Sequence, residues 1–110
     1  MVSKRINSNL ISQLKTGDKL ALAKTYMLYS KGVYQLALRF VKEKELSEKI
    51  VQETFVNLWL SRERLDAEGD LWQNIYAISK RISLNTLRDA YHSANLTTRF
   101  TRQKTSMQAS

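Results

Sequence analysis

Asn74, Arg81, Asn85 and Arg88 stand at intervals of seven, four and three residues, which in a helix sets them along one line of its surface. Arginine donates to phosphate oxygens or to base edges, and a carboxamide offers a donor and an acceptor side by side, so this line is equipped to meet a nucleic acid. Trp72 lies just ahead of it, beside an acidic loop, where an indole can stack on an unpaired base. The same residues admit a plainer reading, a solvated Arg/Asn face with the tryptophan as a partly buried anchor. The basic flanks of the chain favour the nucleic acid.

A second polar set, Glu48, Lys49, Gln52, Glu53 and Asn57, falls on the side of a helix opposite its apolar residues. Glu48, Gln52, Glu53 and Asn57 suit docking onto a basic or mixed protein helix, where charge complementarity sets register and encounter rate; a solvated face is the alternative. Catalytic sets fare worse. Ser47, Ser79 and Ser83 lack a glycine-flanked nucleophile turn, His92 is the only histidine, and no glycine-rich phosphate loop occurs. Glu48 and Glu53 are five residues apart and so are not neighbours on a helix. Without cysteine and with one histidine, the chain offers no disulfide and no usual zinc site. The sequence therefore predicts a protein that is not an enzyme and uses no metal or cofactor.

The elements that must carry these sets are helical. The 110 residues include no proline and three glycines, a composition that favours helices over a turn-rich sheet and leaves Gly17, Gly32 and Gly69 as punctuation. Leu10, Ile11 and Leu14 form a short stripe ending at Thr16-Gly17, and Asp18 is placed to cap a second helix running to about Ser30. After Gly32, Val33, Leu36, Ala37, Phe40 and Val41 again follow helical spacing, and Lys42 to Glu45 reads as a turn. From Leu46 to Arg62 the apolar positions Leu46, Ile50, Val51, Thr54, Phe55, Leu58 and Trp59 mark the clearest amphipathic helix. A polar loop, Glu63 to Asp70, leads into a last helix over about Leu71 to Tyr91. That helix has two stripes, Leu71, Ile75, Ile78 and Ile82 on one side and Ala77, Leu84, Leu87 and Tyr91 nearly opposite, which predicts a central position in the bundle.

Charge is distributed in three blocks. Residues 1–40 carry seven Lys/Arg against Asp18 (+6), residues 41–70 five against eight carboxylates (−3), and residues 71–110 six against Asp89 (+5). A basic, acidic, basic order predicts two kinds of partner, one of them polyanionic. The N-terminus has neither a signal-peptide core nor a membrane-length run, and the expected setting is soluble and cytoplasmic, without a membrane partner.

Residues 10–91 resemble domain 2 of the extracytoplasmic-function (ECF) sigma factors of bacterial RNA polymerase. The stretch Leu14 to Leu22 is similar to the family's Gly-Asp-x-x-Ala-Phe opening, and Tyr26, Tyr29, Val33-Tyr34 and Ala37-Leu38-Arg39 continue in step. Leu46 to Trp59 resembles the helix that the family writes with Gln-Glu-x-Phe and a tryptophan four residues later, here Gln52-Glu53-Thr54-Phe55 and Trp59. Ile78 to Arg88 is similar to the family's Ile-Ala-Arg-Asn-x-x-x-Asp-x-x-Arg helix, with Arg81 in place of Asn and Asn85 in place of Asp; Lys49 likewise stands where Asp is usual.

The resemblance implies an all-α fold, a compact bundle of about four main helices, and a sigma-factor domain that binds core polymerase and recognises and melts the promoter minus-ten element. It implies docking of the 46–62 helix on the β′ clamp coiled coil, through Glu48, Lys49, Gln52, Glu53 and Asn57, with Gln52 and Glu53 foremost. It implies that the loop before the last helix receives a flipped base of the non-template strand, with Trp72, Asn74, Lys80, Arg81, Asn85 and Arg88 as the DNA-binding residues. Residues 1–9 are expected to be an N-terminal extension, 10–92 the domain, and 93–110 a flexible basic tail or the start of a linker, with the helix-turn-helix domain 4 absent. The alternatives are a protein-interaction module held by an anti-sigma factor, or a generic helical DNA-binding regulator.

Overall fold

The computed structural model describes residues 3–109, and side chains as far as Ser93. Helix α1 spans Lys4–Lys15, opened by Ser3, whose hydroxyl accepts from the Ile6 N–H at 3.2 Å. It thus starts well ahead of the Leu10/Ile11/Leu14 stripe that marks it in the sequence, because a good cap extends a helix beyond its buried residues. Gly17, at φ +86°, ends α1 in the left-handed conformation that glycine adopts without cost. Asp18 caps α2 (Lys19–Val41) as expected, its carboxylate accepting from the Leu20 N–H at 2.9 Å.

Helix α2 runs unbroken through Gly32, which is therefore not the boundary that the sequence suggests. A glycine inside a helix costs about 1 kcal/mol relative to alanine but does not break it. What glycine provides here is a close approach. A Cβ at residue 32 would lie 3.2 Å from Cη2 of Trp72, so the indole sits where a side chain would be. Lys42, at φ 54°, closes α2 by donating its N–H to the Leu38 carbonyl at 2.9 Å, and α3 (Lys44–Leu60) follows after Glu43. A 3-10 turn at Arg62–Arg64 leads through a loop to α4, Leu71–Ala109. The expected flexible tail over residues 93–110 falls almost wholly outside the described side chains.

Helices α2, α3 and α4 pack against one another, while α1 lies against α2 and the 3-10 turn. The main core takes Leu10, Ile11 and Leu14 from α1, Ala21 and Val33 from α2, Val51, Phe55 and Leu58 from α3, Leu65 from the loop, and Leu71 and Ile75 from α4. A second cluster, Ala37, Ile50 and Ile82, continues it along the three longer helices, with Ile78 packed against both. Complete burial of each large aliphatic chain contributes about 1.5–3 kcal/mol. Thr25, Ser47, Thr54 and Ser79 are also buried, and each hydroxyl donates to a carbonyl of its own helix or cap, at Ala21, Glu43, Ile50 and Tyr76 respectively.

One expectation about α4 fails. Its Leu71/Ile75/Ile82 stripe is buried, but Leu84, Leu87 and Tyr91 are exposed by 39%, 41% and 73%. With α2 and α3 both packed on one side of α4, nothing among the described residues covers the second stripe, and the helix is peripheral.

Candidate nucleic-acid interface and docking face

Lys80, Arg81, Asn85 and Arg88 are all exposed on α4. Burial of Leu71, Ile75 and Ile82 turns the other side of the helix outward, which is where the line lies. Asn74 differs from them. It is half-buried, and its Nδ2 donates to the Asp70 carbonyl at 3.0 Å, so part of its carboxamide is used in closing the start of α4.

Trp72 is half-buried as well. Its indole stacks on Tyr29 at 5.5 Å between centroids and 27° between planes, and meets Tyr76 edge-on at 6.3 Å. Beside this aromatic pair opens a groove of about 910 Å³ between α1, α2 and the loop, walled by Lys4, Asn7, Tyr29, Glu68, Asp70 and Trp72. Burial pushes the Tyr29 phenol above its ordinary pKa, and the negative charge of Asp70 adds to the effect. The groove is aromatic on one wall and has Lys4 as well as Glu68 and Asp70 around it, a combination that can take a flat base by stacking and by hydrogen bonds to its edge.

The loop that rims the groove is tied at both ends to α1. Lys15 Nζ donates to the Leu65 carbonyl at 2.6 Å, Asn7 Nδ2 donates to the Gly69 carbonyl at 2.9 Å, and Asn7 Oδ1 accepts from the Leu71 N–H at 2.8 Å. Asp70 caps α4 through the Trp72 N–H at 2.9 Å.

Four of the five polar residues of α3 border two different grooves. Glu48 and Gln52 line a shallow groove shared with Tyr26, Ser30, Lys31 and Tyr34 of α2. Lys49 and Glu53 instead border a cleft of about 380 Å³ with Asn85 and Asp89 of α4. One residue of the expected DNA-binding set thus stands beside two of the expected docking set. Asn57 is half-buried, its amide donating to the Glu53 carbonyl at 2.8 Å.

Sequence reasoning missed Val56 and Leu60, exposed by 57% and 73% and set four and eight residues after Gln52, hence on its side of the helix. Both fall outside the periodic apolar set of α3, and that departure was the available signal. Asn7 and Lys15 carried none, since their loop partners lie 50 to 64 residues away. Tyr29 enters the sequence reading only through the family resemblance, without its pairing to Trp72.

The family model for sigma-70 region 2 matches residues 25–92. The ECF RNA polymerase sigma factor SigW of Bacillus subtilis (strain 168) is similar, 27% identical over 88 residues, covering 80% of this chain and 44% of that protein. The chain therefore spans less than half the length of that relative. The NMR structure of an engineered region 2 of sigmaE, in complex with GTAAAA, matches with a TM-score of 0.71 at 21% identity, over 80% of this chain and 93% of that one. At that identity the likeness establishes the fold, a helical bundle of the same arrangement.

Proposed function

The chain belongs to the sigma-70 region 2 family, and we propose that it works in transcription initiation, binding core RNA polymerase and recognising and melting the promoter minus-ten element. The observation that carries the reading is that one helix, α4, bears two unlike surfaces. Exposed Lys80, Arg81 and Arg88 follow α4 with Asn85 among them, and a groove walled by Tyr29 and Trp72 opens at the start of the same helix.

Opening a duplex and turning out one base costs a few kcal/mol. Stacking of an unpaired base on an aromatic side chain returns about 1–3 kcal/mol, and cations along the strand return more through its phosphates. Here the base enters the groove, where Glu68 and Asp70 can accept from its amino hydrogens, while the phosphates follow the basic line of α4. Trp72 serves through the edge that borders the groove, one face being occupied by Tyr29. Asn74 supports the turn from loop to helix through its amide nitrogen and offers its Oδ1 to a base edge.

Docking on the β′ clamp coiled coil falls to the outer side of α3. Gln52 stands at its centre, Glu48 on one flank and Lys49 and Glu53 on the other, with Val56 and Leu60 supplying exposed apolar contact. Polymerase is cytoplasmic, and so is this role. Among the described residues no helix is long and apolar enough to cross a membrane. The chain contributes binding energy and no catalysis. An anti-sigma factor covering these helices is the second reading, supported by the exposed apolar stripe Leu84, Leu87 and Tyr91.

Titration calorimetry of the whole chain against an isolated β′ clamp coiled coil tests the proposal. Saturable binding is expected, weakened by about 1 kcal/mol or more in a Gln52→Ala/Glu53→Ala variant, as for interface anchors generally. A folded wild-type chain that does not bind, yet binds duplex DNA unaided, would be a DNA-binding regulator of another kind.

A further inference from the structure

We infer that α1 holds the loop between Leu65 and Asp70 at both ends, and that Asn7 and Lys15 are positioning residues for the groove that takes the unpaired base. The inference rests on the minus-ten reading above and extends it to a helix ahead of the family match, which begins at residue 25.

The geometry is specific. Lys15 and Asn7 are eight residues apart on α1, about 12 Å of helix at the usual rise, and the loop spans that interval. At one end the Lys15 ammonium bonds the Leu65 carbonyl at 2.6 Å. At the other, the single carboxamide of Asn7 donates to Gly69 and accepts from Leu71, at 2.9 and 2.8 Å. These two bonds straddle Asp70, whose carboxylate both caps α4 and borders the groove. Two bonds from one planar group fix the orientation of the peptides on either side of Asp70.

Little else holds the loop. Leu65 is buried, and an Asp66 turn is closed by the N–H groups of Glu68 and Gly69, at 3.0 and 2.9 Å. Asp66, Ala67 and Glu68 are exposed. Release of α1 would let the loop sample several conformations, and a base entering the groove would then have to pay the ordering entropy. A rigid core beneath the loop does not substitute for these bonds, because the loop backbone would face water at no penalty.

The test uses the full chain as wild type, Asn7→Ala, and Lys15→Met, which keeps the aliphatic stem and removes the donor. Hydrogen exchange is measured at the loop amides and in α2 and α3. Binding is measured to the single-stranded hexamer GTAAAA, to a randomised pool of single-stranded hexamers, and to the β′ clamp coiled coil. In Asn7→Ala the loop amides lose protection while α2 and α3 keep theirs, hexamer binding weakens about tenfold, as two lost hydrogen bonds allow, and coiled-coil binding is unchanged. Lys15→Met shows the same pattern in smaller measure.

Unchanged loop exchange in both variants would overturn the inference. So would loss of protection spread equally through α2 and α3, which marks a merely structural role, or a loosened loop that binds the hexamers as well as before. If the wild-type chain binds no hexamer at all, the minus-ten reading fails, and loop exchange alone still decides whether α1 grips the loop.

Discussion

Ser83 is fully buried on α4, and its hydroxyl has no hydrogen-bond partner among the described residues, whereas Ser79, one turn earlier, donates to the Tyr76 carbonyl at 3.0 Å. A buried hydroxyl without a partner costs about 1–3 kcal/mol of desolvation. Ser83→Ala removes that cost and favours the helix, so it is expected to raise stability by about 1 kcal/mol, read as a higher urea midpoint at unchanged slope. The same accounting separates the asparagines. Asn57 and Asn74 spend their amides on backbone carbonyls of neighbouring turns, Asn7 spends its on the loop, and Asn85 is exposed at the cleft shared with Glu53. Identical side chains at plausible spacings thus have different capacities for a partner, and the hydrogen bonds, which spacing does not show, make the difference.

Helix α2 continues in spite of Gly32, and the site owes its aromatic wall to the space that this glycine leaves for Trp72. A larger residue gains up to about 1 kcal/mol of helix propensity but must displace the Trp72 ring, and overpacking of this kind costs about 1–3 kcal/mol. Gly32→Leu is expected to lower stability by about 1–2 kcal/mol in urea unfolding, and to shift the tryptophan emission to longer wavelength as the indole leaves Tyr29. A gain in stability with unaltered emission would show that the contact is not tight. Helix α4 makes the complementary point. Both of its stripes are real, but one is core and the other surface, because a single helix can be covered on both sides only when the bundle wraps it, and α1 reaches α4 at its first turn, on the core side, and not at the second stripe.

For the molecule as a whole, the three charge blocks coincide with structural units: α1 and nearly all of α2, then α3 with the loop, then α4. The acidic block supplies both the outer side of α3 and the rim of the groove, while exposed cations line α4. Polyanion binding then depends on salt through the α4 cations. If Lys80, Arg81 and Arg88 each meet one phosphate, the logarithm of single-strand affinity should fall with the logarithm of salt concentration at a slope of about −2. Removing Arg88 alone should bring the slope to about −1.4 by the same rule. A slope near zero would place the strand elsewhere. If the exposed Val56 and Leu60 carry much of the proposed docking on the coiled coil, that binding is expected to respond to salt less.

The helical class, the cap at Asp18, the amphipathic faces of α3 and α4 and the exposed basic line were legible in the sequence, because each depends on residues within a few turns of one another. The Gln52-Glu53-Thr54-Phe55 and Trp59 pattern likewise pointed to the family, since that motif lies within one helix. Tertiary structure alone decided that Gly32 is a seat for Trp72, that Leu84, Leu87 and Tyr91 face outward, that Lys49 and Glu53 stand beside Asn85, and that Asn7 and Lys15 hold the loop. Each of these joins residues far apart in the chain, and periodicity within one helix carries no information about which other helix lies against it.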